Sequence, residues 1–541
     1  MRRWNGWGDD THQTELADFA KALIAELLGQ TRPLPNASLQ EVVQSVPQTR
    51  APDHPLIDKS PEVRIKHAAG QSFSDWIQMR SGVFTNIPDA VAFPETSRQV
   101  RELMDWAARK DLILVPYGGG TSVAGHLACP VNDKPQITVA LTRMNRMLDF
   151  DRESQIATFG AGVRGPDLEA QLAAIGYTLG HFPQSFELST AGGWVVTRSS
   201  GQQSLRYGRI EQLFAGGTLE TPNGTLEIPS IPASSAGPDL REIVLGSEGT
   251  LGILTEVKLR VTPLAEAEQF YTVFMPDWES GVAAIQAITQ GRIPLSMMRL
   301  SNATETDVSL KLAVPENKLS KLNMLFKLRG LSEQKCMLTF GLTGSKKQVA
   351  ANYKLANTFL KQHGGKRIFS AMLGDKWKEG RFKGPYLRDA LWEHGVGADT
   401  FETAMDWSAL RPYINVVEQN VSNALKAQGI PVFAFTHLSH VYPQGSSAYT
   451  TYLFPLASSY EETLQRWKII KKIASDTVVA HGGTISHQHG VGRDHAPYLP
   501  AEKGKLGMSA LKALSKSFDP DSRMNPGVLI ADDTASTREQ A

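Results

Sequence analysis

The chain has 541 residues, 41% hydrophobic and 21% charged, enough apolar material for several cores. At roughly 150 residues per domain, that length implies about three or four folding units. Lys and Arg number 56 against 55 Asp and Glu, a formal charge of +1 that removes the electrostatic case for a nucleic-acid partner.

Two cysteines, Cys129 and Cys336, exclude a disulfide scaffold, a multi-cysteine zinc site and an iron–sulfur cluster, and they fit a reducing, cytoplasmic setting. No apolar run approaches the ~20 residues needed to cross a bilayer. The start, MRRWNGWGDDTHQTELADF, turns acidic and polar where a signal peptide needs an apolar stretch. A soluble chain is expected, with peripheral membrane contact left open.

In chain order, Glu15 to Leu28 has the pattern of an amphipathic helix, and the Pro-, Ser- and Gln-rich stretch from Thr31 to Pro55 reads as an ordered extension or a linker. From Pro88, the β-branched runs AVAFP, DLILVPY and QITVALT alternate with helical sequence. Ser97 to Lys110 places Val100, Leu103, Met104 and Ala107 on one face of a core-packed helix. Glycine is dense from Gly118 to Gly252, thins from about Glu266, and returns from His481. A helix over Ala510 to Ser517, FDPDSRMNPG and a polar tail close the chain.

PYGGGTSVAGH follows DLILVPY. Gly118, Gly119 and Gly120 can turn consecutive backbone N–H groups toward an anion, with Thr121 and Ser122 adding hydroxyls. No Lys follows as in a P-loop, and Val123 stands at the third glycine position of the dinucleotide fingerprint. A tight turn explains this loop alone equally well. The second segment, His181 to Gly208, alternates Ser185, Ser189, Thr190, Thr197, Ser199 and Ser200 with Gly192, Gly193 and Gly201, a lining that suits a flat polar ligand against backbone. In the third, Val244 to Val261, three glycines open a strand with Glu248 and Thr250 as polar contacts. Each reads as loop chemistry by itself; the ordered set is more specific.

Together, P-x-GGGTS, S-x-E-x-ST-x-GG and GSEGTLG-[IV]-[IL]-T resemble the FAD-binding domain of the vanillyl-alcohol oxidase superfamily, and FDPDSRMNPG resembles its C-terminal signature. The resemblance implies FAD, with Pro116, Tyr117, Gly118, Gly119, Gly120, Thr121 and Ser122 at the pyrophosphate. Gln184, Ser185, Glu187, Ser189, Thr190, Thr197, Arg198, Ser199, Ser200, Glu248, Gly249, Thr250, Leu251, Gly252, Ile253 and Leu254 would line the ribityl, ring and adenine regions. Covalent members place a histidine in the first loop; this loop reads Gly118–Gly119–Gly120–Thr121–Ser122, so non-covalent FAD is expected. The implied fold class is α+β. A two-part FAD-binding domain of vanillyl-alcohol oxidase type (88–264) joins an α+β cap domain (265–480), with an N-terminal helical extension (1–87). A C-terminal segment (481–541) completes the active site and the FAD domain.

Nearly the whole chain is similar to the alkyldihydroxyacetonephosphate synthase family, the flavoenzymes of ether-lipid synthesis. WNGWG (Trp4–Gly8), FTNIPDAVAFP, GHFPQSFELSTAGGWVVTRSSG, MRLSN, PYLRD, FETAMDW and SHQHGVG carry the likeness; hydroxy-acid dehydrogenases of the superfamily lack WNGWG. In the family's reaction, flavin N5 forms an adduct with C1 of acyl-dihydroxyacetone phosphate, the fatty acid leaves, and a long-chain alcohol replaces it without net redox change. That implies a base for the C1 proton, a cation for the phosphate and an apolar tunnel. By position, Tyr449 corresponds to the tyrosine proposed to move the C1 proton, with Tyr452 a second candidate. Arg388 corresponds to the phosphate arginine and Arg299 to an arginine near the flavin. From the residues alone, the tyrosine is as well explained by strand packing and the arginines by solvated surface.

Six of the 13 histidines fall between His437 and His495. His487 and His489, at i and i+2, would share one face of a strand and are expected in acid–base or phosphate contact. A metal completed by His437, His440 or His481 is the first alternative and core histidines the second. No thiol or clear carboxylate stands at ligand spacing, so no metal is expected. The family's middle histidine of three is here Gln488, which can donate a hydrogen bond but cannot carry a proton. The reading is an FAD-dependent transferase acting on a small-molecule lipid, with a homodimer expected from the family alone. The alternatives are an FAD-linked oxidase or dehydrogenase of a 2-hydroxy acid or related alcohol, toward which Gln488 leans, and a flavin-binding scaffold without catalysis.

Overall fold

Short buried runs build the first sheet in this computed structural model, which describes residues 3–11, 14–128, 131–314 and 316–531. Cys129 and the polar tail past residue 531 lie outside them. Ala90–Ala92, Gln136–Ala140 and Ile113–Tyr117 run parallel, and Ile57–Asp58 adds antiparallel beside Ala90–Ala92. Parallel strands need a crossover, and the helix Ser97–Lys110 supplies the one from Ala90–Ala92 to Ile113–Tyr117, on the two sides of Gln136–Ala140. Thr96 caps it by accepting from Gln99 N, and Val100, Leu103, Met104 and Ala107 are buried. The chain's end returns to this sheet: Leu114 N donates to Arg523 O and Asn525 N to Leu114 O, both at 2.9 Å. FDPDSRMNPG therefore lies along the strand that leads into the triple glycine.

A five-stranded antiparallel sheet follows, ordered Met147–Asp151, Ile156–Gly160, Ile253–Arg260, Phe214–Thr221, Gly224–Ile228. The two sheets share an apolar core that includes Leu103, Val139, Phe159, Trp194, Val257 and Met524. The third sheet has six antiparallel strands in the order Ala267–Met275, Cys336–Gly344, Met297–Ser301, Phe433–Val441, Gly445–Pro455, Val396–Asp406. The helices Trp407–Ser422 and Tyr460–Ala480 join its second core, with Tyr413, Tyr452 and Trp467 inside. No helix of the described residues is long and apolar enough to cross a membrane.

Three local expectations shift. The first helix begins at Asp18, not Glu15, because Leu16 packs against Ala20 and Ile24 from outside the helix. The terminal helix spans Leu499–Phe518 rather than Ala510–Ser517, broken where Gly504 adopts φ 65° and ψ 171°. The stretch from Thr31 to Pro55 is an ordered extension. It contains the capped helix Leu39–Ser45, and Arg50 binds Asp89 through Nε and Nη2 at 3.0 and 2.9 Å.

WNGWG docks on the helix Gly384–Glu393. Trp7 N donates to Asp389 Oδ2 at 3.0 Å, and a Cβ on Gly6 would strike the same carboxylate. Asp389 also pairs with Arg80, whose side chain is wholly buried. An N-terminal motif and a helix nearly 400 residues later thus share one buried ion pair. Asp389→Ala leaves Arg80 without its main counter-ion and is expected to cost roughly 3–5 kcal/mol, read as a lowered unfolding midpoint; an unchanged midpoint would contradict this contact's role.

Candidate active site

The strand Ile113–Tyr117 drives the first glycine loop against the second segment. A Cβ on Gly118 would strike Thr190 Oγ1, and one on Gly119 the Leu188 carbonyl, so only glycine permits this approach. Gly120 and Gly249 have φ of 66° and 75°. Around them, Ser189 Oγ accepts from Trp194 Nε1 at 2.7 Å, Thr197 Oγ1 donates to Gly193 O at 2.8 Å, and Thr250 Oγ1 donates to Ser247 O at 2.7 Å. Ser199 lies 3.3 Å from His181 Nε2 and Ser200 3.1 Å from His440 Nδ1. Glu187 accepts from Tyr386 at 2.8 Å, and Arg198 pairs with Glu242 at a half-exposed position. Leu251, Ile253 and Leu254 are buried in the core, so only their backbone can meet a ligand. Bare backbone at 118–120, pressed on a hydroxyl-rich segment, fits a dinucleotide's pyrophosphate and ribityl chain.

Glu248 does something the sequence did not disclose. Its buried carboxylate accepts from Val491 N at 2.6 Å and Gly492 N at 2.7 Å, and lies 2.8 Å from His126 Nε2. His126 Nδ1 is bonded in turn to Ser122 Oγ, and Asn525 Nδ2 donates to Glu248 O at 3.2 Å. Arg493 Nη1 donates to the Gly125 and His126 carbonyls, both at 2.9 Å. The first loop, the histidine segment and the C-terminal turn therefore all meet the third segment at Glu248, the last through its backbone carbonyl. His126 and Arg493 were missed; their only signal was a charged residue beside each glycine motif.

On the six-stranded sheet, Ser301 pairs with His437, His437 with Tyr449, and Tyr449 with Glu402, forming one row on one face. Arg299, two residues before Ser301, shares that face. Its Nη2 donates to Glu305 Oε1 at 2.5 Å and lies 3.1 Å from His437 Nδ1. Burial would raise the Glu305 carboxyl, but His437 and Arg299 hold it far below the usual range. Tyr449 stacks on His437 (4.9 Å between ring centres, 16°) and meets His489 edge-on (5.8 Å, 83°). Its hydroxyl donates to Thr400 Oγ1 at 3.0 Å, and Gln184 Oε1 is 3.5 Å away. Burial pushes this phenol up to about 12 and holds His437 and His489 below the ordinary imidazole range. Tyr452, three residues on, bonds Asp399 on the sheet's other side at 3.1 Å and does not join the row.

The expected strand through His487 and His489 is absent. Residues 484–489 run irregularly along the free edge of Val396–Asp406, with Thr484 N on Ala404 O and His487 N on Glu402 O. Without strand alternation the two side chains diverge. His489 goes to Tyr449, while His487 Nε2 lies 2.7 Å from both Arg209 Nη1 and the Tyr442 hydroxyl. A guanidinium only donates, so Nε2 accepts and Nδ1 carries its proton toward Glu402 Oε1, 3.3 Å away. Gln488 Nε2 donates to Glu402 Oε2 at 2.6 Å, and Ser439 Oγ donates to Oε1 at 3.0 Å. Burial would raise Glu402; the facing His487, with His440 and His489, holds it well below the ordinary value. Ligand atoms of Glu402, His440 and His487 lie within 4.8 Å of one another, the spacing of a metal set, but Arg209 and Gln488 already engage His487 and the carboxylate. His481 is elsewhere, bonded to Thr477 O at 2.8 Å.

Arg388 is half-buried, its guanidinium enclosed over the rings of Trp76 (4.4 Å) and Phe73 (5.9 Å). Nη1 donates to Gln71 O at 2.6 Å; Nε and Nη2 have no hydrogen-bond partner among the described residues. Gln71 N donates to Ser122 O at 2.6 Å, which ties Arg388 to the end of the first loop.

Residues 88–228 match the FAD binding domain family and residues 264–529 the C-terminal domain of FAD linked oxidases. The alkyldihydroxyacetonephosphate synthase of Dictyostelium discoideum is 32% identical over 503 residues, covering 92% of this chain and 82% of that protein. A solved alkyldihydroxyacetonephosphate synthase matches with a TM-score of 0.83 at 27% identity over 97% of each chain. Substrate-bound p-cresol methylhydroxylase shares the fold, with a TM-score of 0.65 at 15% identity over 91% of this chain and 96% of its own. The fold is α+β with an FAD-binding domain of this type, and FAD is the cofactor.

Gly119→Ala is expected to abolish FAD retention, and Glu248→Ala to weaken it at least tenfold, about the worth of one lost charge-assisted bond. Flavin absorbance per protein, with circular dichroism as the folding control, reads both. Full occupancy in folded Gly119→Ala would contradict the cradle.

Proposed function

The chain belongs to the alkyldihydroxyacetonephosphate synthase family, and from that premise we propose that it exchanges the acyl group of acyl-dihydroxyacetone phosphate for a long-chain alcohol. Arg388 carries this reading. A buried guanidinium with two unspent donor nitrogens, tied through Gln71 to the FAD loop, is costly unless a dianion completes it. A substrate phosphate supplies that charge in fork geometry.

Bound FAD, held by the loops at 118–122, 184–200 and 248–254, supplies the electrophile at which C1 is activated. The chain's own groups handle the protons. At neutral pH, Tyr449 is in its donating form and His489 in its accepting form, since burial raises the first and lowers the second. His489 therefore takes the C1 proton, and Tyr449 donates to the departing carboxylate. Arg299, fixed by Glu305, holds a positive charge on the same wall. Gln488 preserves the hydrogen bond to Glu402, so the departure from three histidines removes no donor from that carboxylate. The oxidase or dehydrogenase reading is the weaker one.

Anaerobic addition of acyl-dihydroxyacetone phosphate is expected to bleach the flavin and release fatty acid, and a long-chain alcohol to restore the colour. Tyr449→Phe should keep FAD and lose roughly 10²–10⁴ in kcat. The wild-type rate should stay flat from about pH 7 to 10, since the acid limb lies below the ordinary imidazole range and the phenol holds its proton up to about 12. Bleaching by a simple hydroxy acid instead would overturn the transferase reading.

Long-chain substrates partition into bilayers, so the reading includes peripheral membrane contact. The helix Glu316–Leu328 exposes Met324 and Leu328 beside Lys318, Lys321 and Lys327, a combination that suits an anionic interface. Co-flotation with anionic vesicles is expected, and Met324→Glu with Leu328→Glu should abolish it. Wild-type protein left wholly in the aqueous fraction would exclude this contact. The homodimer is part of the same family reading.

A further inference from the structure

Lys471 is a charged group near the site with no role so far. It lies on the helix Tyr460–Ala480, is 7% exposed, and makes no hydrogen bond or ion pair among the described residues. Its stem is enclosed by protein while Nζ is not among the fully enclosed polar atoms, so the ammonium reaches open space where an anion can meet it.

Its surroundings say what arrives. One turn earlier on the same helix face, Trp467 donates Nε1 to Asp399 Oδ2 at 2.7 Å, and its ring stacks on Phe73 at 5.7 Å and 13°. Phe73 is also one of the two rings under Arg388. Arg388 thus rests on the wall of Phe73 and Trp467 from one helix, and Lys471 stands one turn beyond Trp467 on another. That wall is already negative. Asp399, Asp75 and Asp389 act on Arg388, while Lys471 acts on Asp494 and on His489. Asp75 Oδ1 and Asp494 Oδ2 are buried without hydrogen-bond partners. Burial pushes the Asp494 carboxyl up to about 7, with Lys471 pulling it back down. A phosphate monoester brings about −1.5 to −2 charges at neutral pH. One guanidinium cannot balance a dianion entering among carboxylates; a guanidinium and an ammonium can.

Resting on the phosphate reading of Arg388, we propose that Lys471 is a second substrate-phosphate ligand, sharing the dianion with Arg388 and setting the site's preference for a phosphorylated headgroup. The guanidinium supplies planar orientation and the ammonium a compact charge that needs no fixed direction.

The test uses the FAD-loaded enzyme and dihydroxyacetone phosphate, with binding read from the flavin spectrum. Lys471→Met is expected to weaken binding roughly 10–100-fold, the worth of a charge-assisted contact. The KM for acyl-dihydroxyacetone phosphate should rise in step, with kcat changed far less. Lys471→Arg should recover most of the affinity, and Lys471→Gln serves if the Met variant does not fold. Unchanged affinity in a folded Lys471 variant overturns the proposal. So does a shifted flavin reduction potential at unchanged affinity, which would mean the amine faces the cofactor. If Arg388→Met leaves affinity unchanged, the phosphate reading of the site falls as well; if it weakens binding and Lys471→Met does not, only the Lys471 assignment falls.

Discussion

The buried carboxylate of Glu248 is the constraint on which the assembly of the site depends. Its oxygens take two backbone N–H groups from the histidine segment and face an imidazole from the first glycine loop, while its own carbonyl takes the amide of Asn525. Removing the carboxylate would leave donors from two separate segments unsatisfied inside the protein, and each would cost its own desolvation. Loops without regular structure hold position here because their backbone hydrogen bonds converge on one acceptor. The histidine segment can therefore be irregular and still place His489 against Tyr449.

Two further carboxylates do for the cap what Glu248 does for the cradle. Glu305 fixes Arg299 and His437; Glu402 fixes His487 and Gln488. Between them stands Tyr449, flanked by imidazoles that burial keeps neutral. Negative charge is concentrated in carboxylates that only position, and the groups proposed to move protons are neutral, with the cations Arg299, Arg388 and Lys471 beside them. That separation lets one site bind a dianion and move a proton without the two tasks quenching each other.

Much of this was legible from sequence, for identifiable reasons. The helix Ser97–Lys110 follows from its apolar spacing, and its flanking strands from β-branched runs. The close approach at Gly118 and Gly119 is a property of glycine that the sequence carries openly. What sequence could not carry is pairing across long separations. Glu248 was legible as a cofactor contact by its motif, but not as the acceptor of groups more than a hundred residues away on either side. Glu402 sat unremarked inside a quoted motif, since only strand register brings it opposite Tyr449. The i, i+2 spacing of His487 and His489 suggested a strand, but a loop at a sheet edge does not alternate its side chains. Lys471, one amphipathic-helix lysine among many, had no sequence signal at all.

A reaction that swaps one oxygen substituent for another without net oxidation leaves a stoichiometric signature that no oxidase shares. With acyl-dihydroxyacetone phosphate and a long-chain alcohol supplied in air, fatty acid released, ether product formed and oxygen consumed would be measured in the same reaction. Equal amounts of fatty acid and ether, with no oxygen uptake, are the expected result. Oxygen uptake or dye reduction without ether product would contradict the account.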